Sequence, residues 1–407
     1  MAVHKMWAMR LPGRGPASRA ALAAWALGCA LALLLSACGG SGPETTPPGG
    51  GDTTPGATVG PGSPTPGGAT PGAGSPTPAP ETTLLLVQEF GQNADTLRLV
   101  DPRDPSRSRT ALVIEHAPGW GARVAISPDG RRVAYAVLPR NARDEARQAE
   151  LWVASLEGGS PARQATGIDL RGGALWAADG SAVFARAVGP DSPLVVRVDQ
   201  RGGTEPRNIA TGPDVASLTL AGSHGRYIYW SELSRQTGQA VLKSLDLQTG
   251  QVGPGLTLAS EPARDFALSP DGSRLAFTGA NTFKAYLADL TARSVSELPT
   301  DGQPALRPAW LPDGSAVAVG LAAGGGRPAR VLVFRQGSPQ ELVSVQQGFL
   351  QPLLWTPDGS ALLCQYYTGT LSNPGNPALV SVTTGGQPAS LPVSGQVEVV
   401  GWARGRL

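Results

Sequence analysis

Trp355-Thr356-Pro357-Asp358-Gly359-Ser360, followed by Ala361-Leu362-Leu363-Cys364, is the clearest copy of the unit from which most of this chain is built. Pro presets φ near −65° at the second turn position, Asp tolerates the bridge region and bonds its own backbone, and Gly supplies positive φ. A turn of that chemistry running into a short apolar stretch predicts a β-hairpin. Further copies stand at Ile126-Ser127-Pro128-Asp129-Gly130, Trp176-Ala177-Ala178-Asp179-Gly180, Leu268-Ser269-Pro270-Asp271-Gly272 and Trp310-Leu311-Pro312-Asp313-Gly314. A degenerate copy lies at Ala221-Gly222-Ser223-His224-Gly225, and a truncated one begins at Trp402. Their lead residues are 42 to 50 positions apart, the period of propellers and solenoids.

Each turn opens an alternating strand, among them Arg132–Val137, Tyr227–Trp230, Arg274–Phe277 and Ala316–Val319. A second series of strands ends in Asp or a substitute: Leu97–Asp101, Leu151–Ser155, Val195–Asp199, Leu242–Asp246, Tyr286–Asp289, Leu332–Arg335 and Leu379–Thr383. Both series have seven members, but the second begins before any turn motif and the first ends after the last strand of the second. The expected fold is therefore all-β: a seven-bladed propeller over residues 83–407, closed where Gln396–Leu407 supplies the inner strand of a blade whose other strands come from residues 83–115. Joining the termini in one sheet removes exposed edges at the seam.

Outside the repeat the composition changes. Residues 39–80 hold 13 Gly and 11 Pro, with Glu44 and Asp52 as the only charges, too little apolar surface to offset ordering entropy. This stretch reads as a disordered linker, spanning roughly 35 Å as a flexible coil. Before it, residues 1–20 carry Lys5, Arg10, Arg14 and Arg19 with no acid, and residues 21–35 are an unbroken apolar run. That is the pattern of an export signal, and the run falls short of the roughly 20 residues of a membrane span. Leu35-Ser36-Ala37-Cys38 resembles the lipobox of bacterial lipoproteins, which implies a signal peptide over 1–37 and a lipid on Cys38. An uncleaved membrane anchor is the alternative. The expected organisation is signal 1–37, lipidated Cys38 and linker to 82, and propeller 83–407, anchored outside the cytoplasm on the periplasmic side or the cell surface.

Residues 1–37 carry four of the 33 basic residues and no acid, so the remainder has 29 basic against 31 acidic residues and no basic footprint for nucleic acid. Cys29 falls in the signal and Cys38 at the anchor, leaving Cys364 in an apolar run, where it reads as a small core residue. No disulfide within the folded part and no Cys-based metal site is expected.

Trp-x-Pro-Asp-Gly-Ser followed by an apolar strand, and Leu151-Trp152-Val153 followed by Leu156 and Gly158-Gly159, together resemble the TolB-type, WD40-like (PD40) β-propeller repeat over essentially all of residues 83–407. The resemblance implies the propeller and is weak for function, since such repeats occur in binding modules and in the propeller halves of peptidases. The lipobox, stalk and propeller layout also resembles exported LpqB-type lipoproteins.

Candidate chemistry is sparse. Beyond the signal the only histidines are His116, on a loop entering an inner strand, and His224, in the degenerate turn, and both read as exposed loop residues. Acid–base or triad catalysis usually wants a histidine, and no Gly-x-Ser-x-Gly elbow, EF-hand loop or phosphate-cradling Gly-rich segment occurs. Asp129, Asp179, Asp271, Asp313 and Asp358 read as turn formers, one per blade and too far apart to share a calcium ion. Trp176, Trp310, Trp355 and Trp402 read as inter-blade packing.

Propellers bind where loops converge at one mouth of the channel. The segments entering the inner strands hold Arg123, Asp169, Arg171, Arg264, Asp265, Arg307, Gln351 and Glu398. Four arginines there could fork onto an anionic group, or pair with Asp169, Asp265 and Glu398 in a solvated ring. The longest insertion, 139–150, carries Arg140, Arg143, Asp144, Glu145 and Arg147 and is a candidate recognition loop, with Trp120, Tyr366 and Tyr367 as nearby aromatics. The expected function is a lipid-anchored, non-catalytic binding module for a cell-envelope protein, peptide or glycan, monomeric, without cofactor or metal. The alternative is an exported carbohydrate- or peptide-processing enzyme using the channel as active site.

Overall fold

In a computed structural model of the chain, the structure describes residues 81–142, 146–200, 205–391, 393 and 396–407. The signal segment, the lipobox Leu35-Ser36-Ala37 with Cys38, the linker through residue 80, and Arg143, Asp144 and Glu145 lie outside the described residues. Among the described residues only two short 3-10 turns interrupt the strands.

Strands β1 (Thr82–Glu89), β2 (Ala94–Val100) and β3 (Ser108–Glu115) open the fold. Next come β4 (Arg123–Ile126), β5 (Arg132–Val137), β6 (Ala149–Ser155), β7 (Ala162–Ile168), β8 (Ala174–Trp176), β9 (Ala182–Val188), β10 (Pro193–Asp199) and β11 (Arg207–Ala210). Three further groups of four follow. The first is β12 (Val215–His224), β13 (Tyr227–Ser234), β14 (Ala240–Asp246) and β15 (Leu256–Ala259). The second is β16 (Ala263–Leu268), β17 (Arg274–Gly279), β18 (Ala285–Asp289) and β19 (Ser294–Glu297). The third is β20 (Ala305–Trp310), β21 (Ala316–Leu321), β22 (Ala329–Arg335) and β23 (Ser338–Val345). Strands β24 (Phe349–Trp355), β25 (Leu362–Tyr367), β26 (Pro377–Val382) and β27 (Ala389–Ser390) precede the last strand, β28 (Val397–Gly405).

All pairings are antiparallel meanders, and the sheets form an all-β propeller. The expectation of seven separate four-stranded blades is corrected: five sheets stand alone with four strands each, and β4 to β11 make one eight-stranded sheet. The fusion has a local cause. A 3-10 turn at Leu170–Gly172 folds the chain back, Asp169 N–H donates to the Arg186 carbonyl at 2.7 Å, and the end of β7 is left beside β9 at the single pair Ile168↔Ala187.

The two ends of the described chain share a sheet, ordered β28-β1-β2-β3, with pairs from Thr82↔Gly405 to Glu89↔Val397. Inner strands pack in sequence, β28 on β4, β4 on β8, β8 on β12, β12 on β16, β16 on β20 and β20 on β24. The Trp402 indole in β28 donates to the Trp355 carbonyl in β24 at 2.8 Å and completes the circuit. Between sheets lie apolar layers, such as Leu84, Leu86, Leu97, Leu99 and Ala403 against Val133 and Tyr135. Burying one such side chain contributes ~1.5–3 kcal/mol, which is why sheet faces of this polarity stack.

Candidate functional site

Inner strands run from one face of the propeller to the other, so every inner strand starts on the same side, here called the entry face, and each of them except β28 ends at a turn on the opposite face. The turn side is uniform. In all five Asp-Gly copies the Gly N–H donates to the carbonyl three residues earlier at 2.8 or 2.9 Å, and Gly φ lies between 68° and 71°. The Asp side chain accepts from a backbone N–H two residues on in every copy, at 2.8 to 3.1 Å. Hydrogen bonds from the Ser269 and Ser273 hydroxyls hold the Asp271 carboxyl down to about 2, and Thr356 and Ser360 do the same for Asp358. These aspartates are committed to their own turns. The degenerate copy differs in length: His224 pairs with Tyr227, leaving a two-residue Gly225-Arg226 loop with no place for Pro-Asp. His224, expected as an exposed turn residue, is half-buried against Gly272 of the next sheet.

The tryptophans opening these turns act as latches between sheets. Indole N–H groups of Trp176, Trp310 and Trp355 donate to the carbonyls of Ala125, Ala267 and Ala309 on the preceding inner strand, at 3.1, 2.8 and 3.2 Å. Arg132 and Arg274 guanidinium groups lie over the Trp176 and Trp310 rings, 4.8 and 4.7 Å from the centroids. Where Ile126 replaces Trp, the preceding inner strand instead carries Gly401, at which a Cβ would come within 2.8 Å of the isoleucine.

The entry face is irregular. Asp169 is buried, caps the 3-10 turn through Arg171 N–H at 3.0 Å and pairs with Arg186 at 2.8 Å, so it serves the fold. Arg171 is exposed. Arg264 and Asp265 pair with each other at 3.3 Å; Asp265 also accepts from Thr278, and Arg264 stacks over Phe283 at 4.7 Å. Arg140 pairs with Glu115 at 2.9 Å across two exposed side chains, and Arg147 lies in the 3-10 turn Ala146–Gln148. Gln351, in β24, sits opposite Gln365 of β25.

Three of the expected residues do converge. Arg123, Arg307 and Glu398 line one cavity of about 200 Å³ together with Gln88 and the small Gly173 and Ala174. Among the described residues, the guanidinium groups of Arg123 and Arg307 make no ion pair or hydrogen bond, and Glu398 is likewise unpaired. Arg307 lies within a register shift of β20 between Ala305 and Pro308, a bulge of the kind that re-aims a side chain away from the sheet rhythm. Burial, then the Glu398 charge, pushes the Tyr367 hydroxyl up, and Arg307 works against it, so all three share one electrostatic environment.

Sequence reading missed a buried polar cluster on this face. His116 and Asp95 are both fully buried rather than exposed. His116 Nε2 lies 3.1 Å from Asp95 Oδ1 and Nδ1 lies 2.9 Å from the Ala117 carbonyl. Both ring nitrogens face acceptors, so the imidazolium is the form that satisfies the site. Burial opposes that charge, but the bonds to Asp95 and Ala117 and the Asp95 charge outweigh it and the pKa is raised. Asp95 also accepts from Gln88 Nε2 at 2.8 Å and from the N–H groups of Ala122 and Gly91 at 2.7 and 3.2 Å. The available signal was phase, because Asp95 occupies the buried register of β2 that Leu97 and Leu99 continue. Glu261 and Gln303 brace other entry loops in the same manner, the first accepting from Asn281 and Thr282 N–H, the second donating to the Ala322 and Pro328 carbonyls. Cys364 is fully buried, and burial pushes its thiol up. Among the described residues no three His, Cys, Asp or Glu side chains gather as a metal site.

No protein-family model and no curated protein matches the chain. Solved structures do. An oligogalacturonate lyase from Vibrio parahaemolyticus is 15% identical with a TM-score of 0.52, covering 77% of this chain and 86% of its own. A putative 6-phosphogluconolactonase from Bacteroides fragilis is 14% identical with a TM-score of 0.51, covering 82% of this chain and all of its own. TolB from Acinetobacter baumannii is 18% identical with a TM-score of 0.43, and the two chains align over 63% of each. At these identities the first two likenesses show the propeller fold alone.

Proposed function

We propose that the protein is an exported, lipid-anchored binding module whose propeller engages a cell-envelope partner, a protein, peptide or glycan, through its entry face, without catalysing a reaction. One observation carries this reading: Arg123 and Arg307 stand without ion pair or hydrogen bond among the described residues around one cavity, while the five repeated aspartates of the turn face are each spent on their own turns. The groups best suited to catalysis are closed away, His116 with both ring nitrogens engaged and Cys364 inside the core. Export and anchoring rest on the basic start, the apolar run and the Leu35-Ser36-Ala37-Cys38 motif. We read the eight-stranded sheet as two fused blade units, β4–β7 and β8–β11, which keeps the sevenfold rhythm of the sequence.

Two experiments test it. Crosslinking in intact cells followed by capture of the full-length protein from solubilised envelopes is expected to enrich a specific partner, with loss of enrichment in an Arg123→Gln/Arg307→Gln variant. Turnover of envelope polysaccharides or peptides that disappears in a Glu398→Gln variant is the result that would replace binding by catalysis.

A further inference from the structure

Arg307 belongs to two cavities of different character. The one described above is ringed by charge. The second, about 260 Å³, is walled, apart from Arg307, by residues with apolar side chains, among them Phe266, Leu268, Pro308, Trp310 and Leu353, with polar atoms also reaching its surface. Around the first, Arg123 and Arg307 against Glu398 leave one positive charge unbalanced, so a singly charged anion restores neutrality where a dianion would overshoot. Guanidinium forks match the two oxygens of a carboxylate. Glu398 as a carboxylate only accepts, which calls for a donor on the same ligand close to its acid group. A peptide C-terminus offers the combination: one carboxylate, the amide N–H of the final residue beside it, and an apolar side chain for the adjoining cavity. A sugar acid supplies the acid and donors but no large apolar group.

We propose that the cavity between Arg123 and Arg307 receives the C-terminal carboxylate of a partner polypeptide, with a large apolar side chain of its last residues seated against Phe266, Trp310 and Leu353. The inference rests on the binding reading above and names the chemistry of that partner.

The test uses the full-length protein in detergent and fluorescence polarisation. The probes are an N-terminally labelled hexapeptide ending in Leu-Phe with a free carboxylate, the same peptide as its C-terminal amide, and a uronic-acid trimer as competitor. The acid is expected to bind at least about tenfold more tightly than the amide, and Arg123→Gln and Arg307→Gln each to weaken it by about tenfold while leaving the melting temperature in place. Equal binding of acid and amide, undiminished binding in both arginine variants, or binding of the uronic acid with none of the peptide would overturn it. Envelope capture separates the two levels. A partner retained by the double arginine variant sinks this inference and leaves the platform reading standing, whereas no partner for the native protein sinks the platform itself.

Discussion

The two faces of this propeller are made of the same strands and obey different rules. On the turn face, five Asp-Gly turns repeat one hydrogen-bond pattern to within 0.1 Å in the Gly N–H distance, and their carboxylates are consumed locally. On the entry face, four loops are braced in four different ways: by Asp95 with His116, by Asp169 with Arg186, by Glu261, and by Gln303 with Arg330. There Arg123, Arg307 and Glu398 stand around one cavity without an ion pair or hydrogen bond among the described residues. Repetition marks what the ring needs in order to close, and departure from it marks where selection can act on something else.

Removing Asp95 should do the most damage. An Asp95→Ala variant leaves a fully buried imidazolium and two backbone N–H groups without their acceptor, and breaking a buried pair in this way costs ~3–5 kcal/mol. Urea denaturation should show the full loss, and an unchanged midpoint would refute the cluster's place in the fold.

Trp355→Ala should cost a comparable ~3–5 kcal/mol, since the ring is buried between sheets and its N–H holds the preceding inner strand. A variant that kept its melting temperature would break the distinction between the faces from the other side.

The pH dependence of stability comes next in size. The raised His116 pKa means its contribution is whole below the ordinary value of 6.5 and is lost as pH climbs through the higher folded value. The depressed turn aspartates contribute above their ordinary 3.8 and lose that contribution as pH falls towards about 2 for Asp271 and Asp358. Stability measured against pH should therefore be highest between these limits. A His116→Gln variant should lack the decline on the alkaline side, and retention of that decline would show that another group causes it.

Smallest of all, Arg123→Gln and Arg307→Gln should change stability by no more than about 0.5 kcal/mol while altering binding, because neither side chain holds the fold together. Destabilisation as large as that of Trp355→Ala would move these arginines into the structural class.

Turns and strands were legible in the sequence because their causes are local: Pro-Asp-Gly chemistry and two-residue alternation act within ten positions. Sheet membership at the seam was legible from the offset between two repeating series. The fusion of β7 to β9 was not, since it depends on how a 3-10 turn at Leu170–Gly172 places Ile168 beside Ala187. Of the expected site residues, Arg123, Arg307 and Glu398 meet around a cavity, whereas Asp169 is claimed by Arg186, a residue in the middle of another strand that no motif singled out. Burial of His116 was missed because its partner Asp95 lies 21 positions away, across a turn and a strand.

Everything on the entry face depends on β28 lying against β1, which brings Glu398 round to Arg123. A Thr83→Cys/Arg404→Cys variant tests this directly, because the two positions are paired, both are exposed, and facing residues of an antiparallel pair are about 4.5–5.5 Å apart at Cα, within disulfide reach. Mild oxidation of the folded protein should convert the two thiols into one intramolecular disulfide, visible as a mobility shift on non-reducing gels and as a mass loss of two hydrogens. Two thiols that remain freely alkylated under the same oxidant would mean that the ends of the fold do not meet.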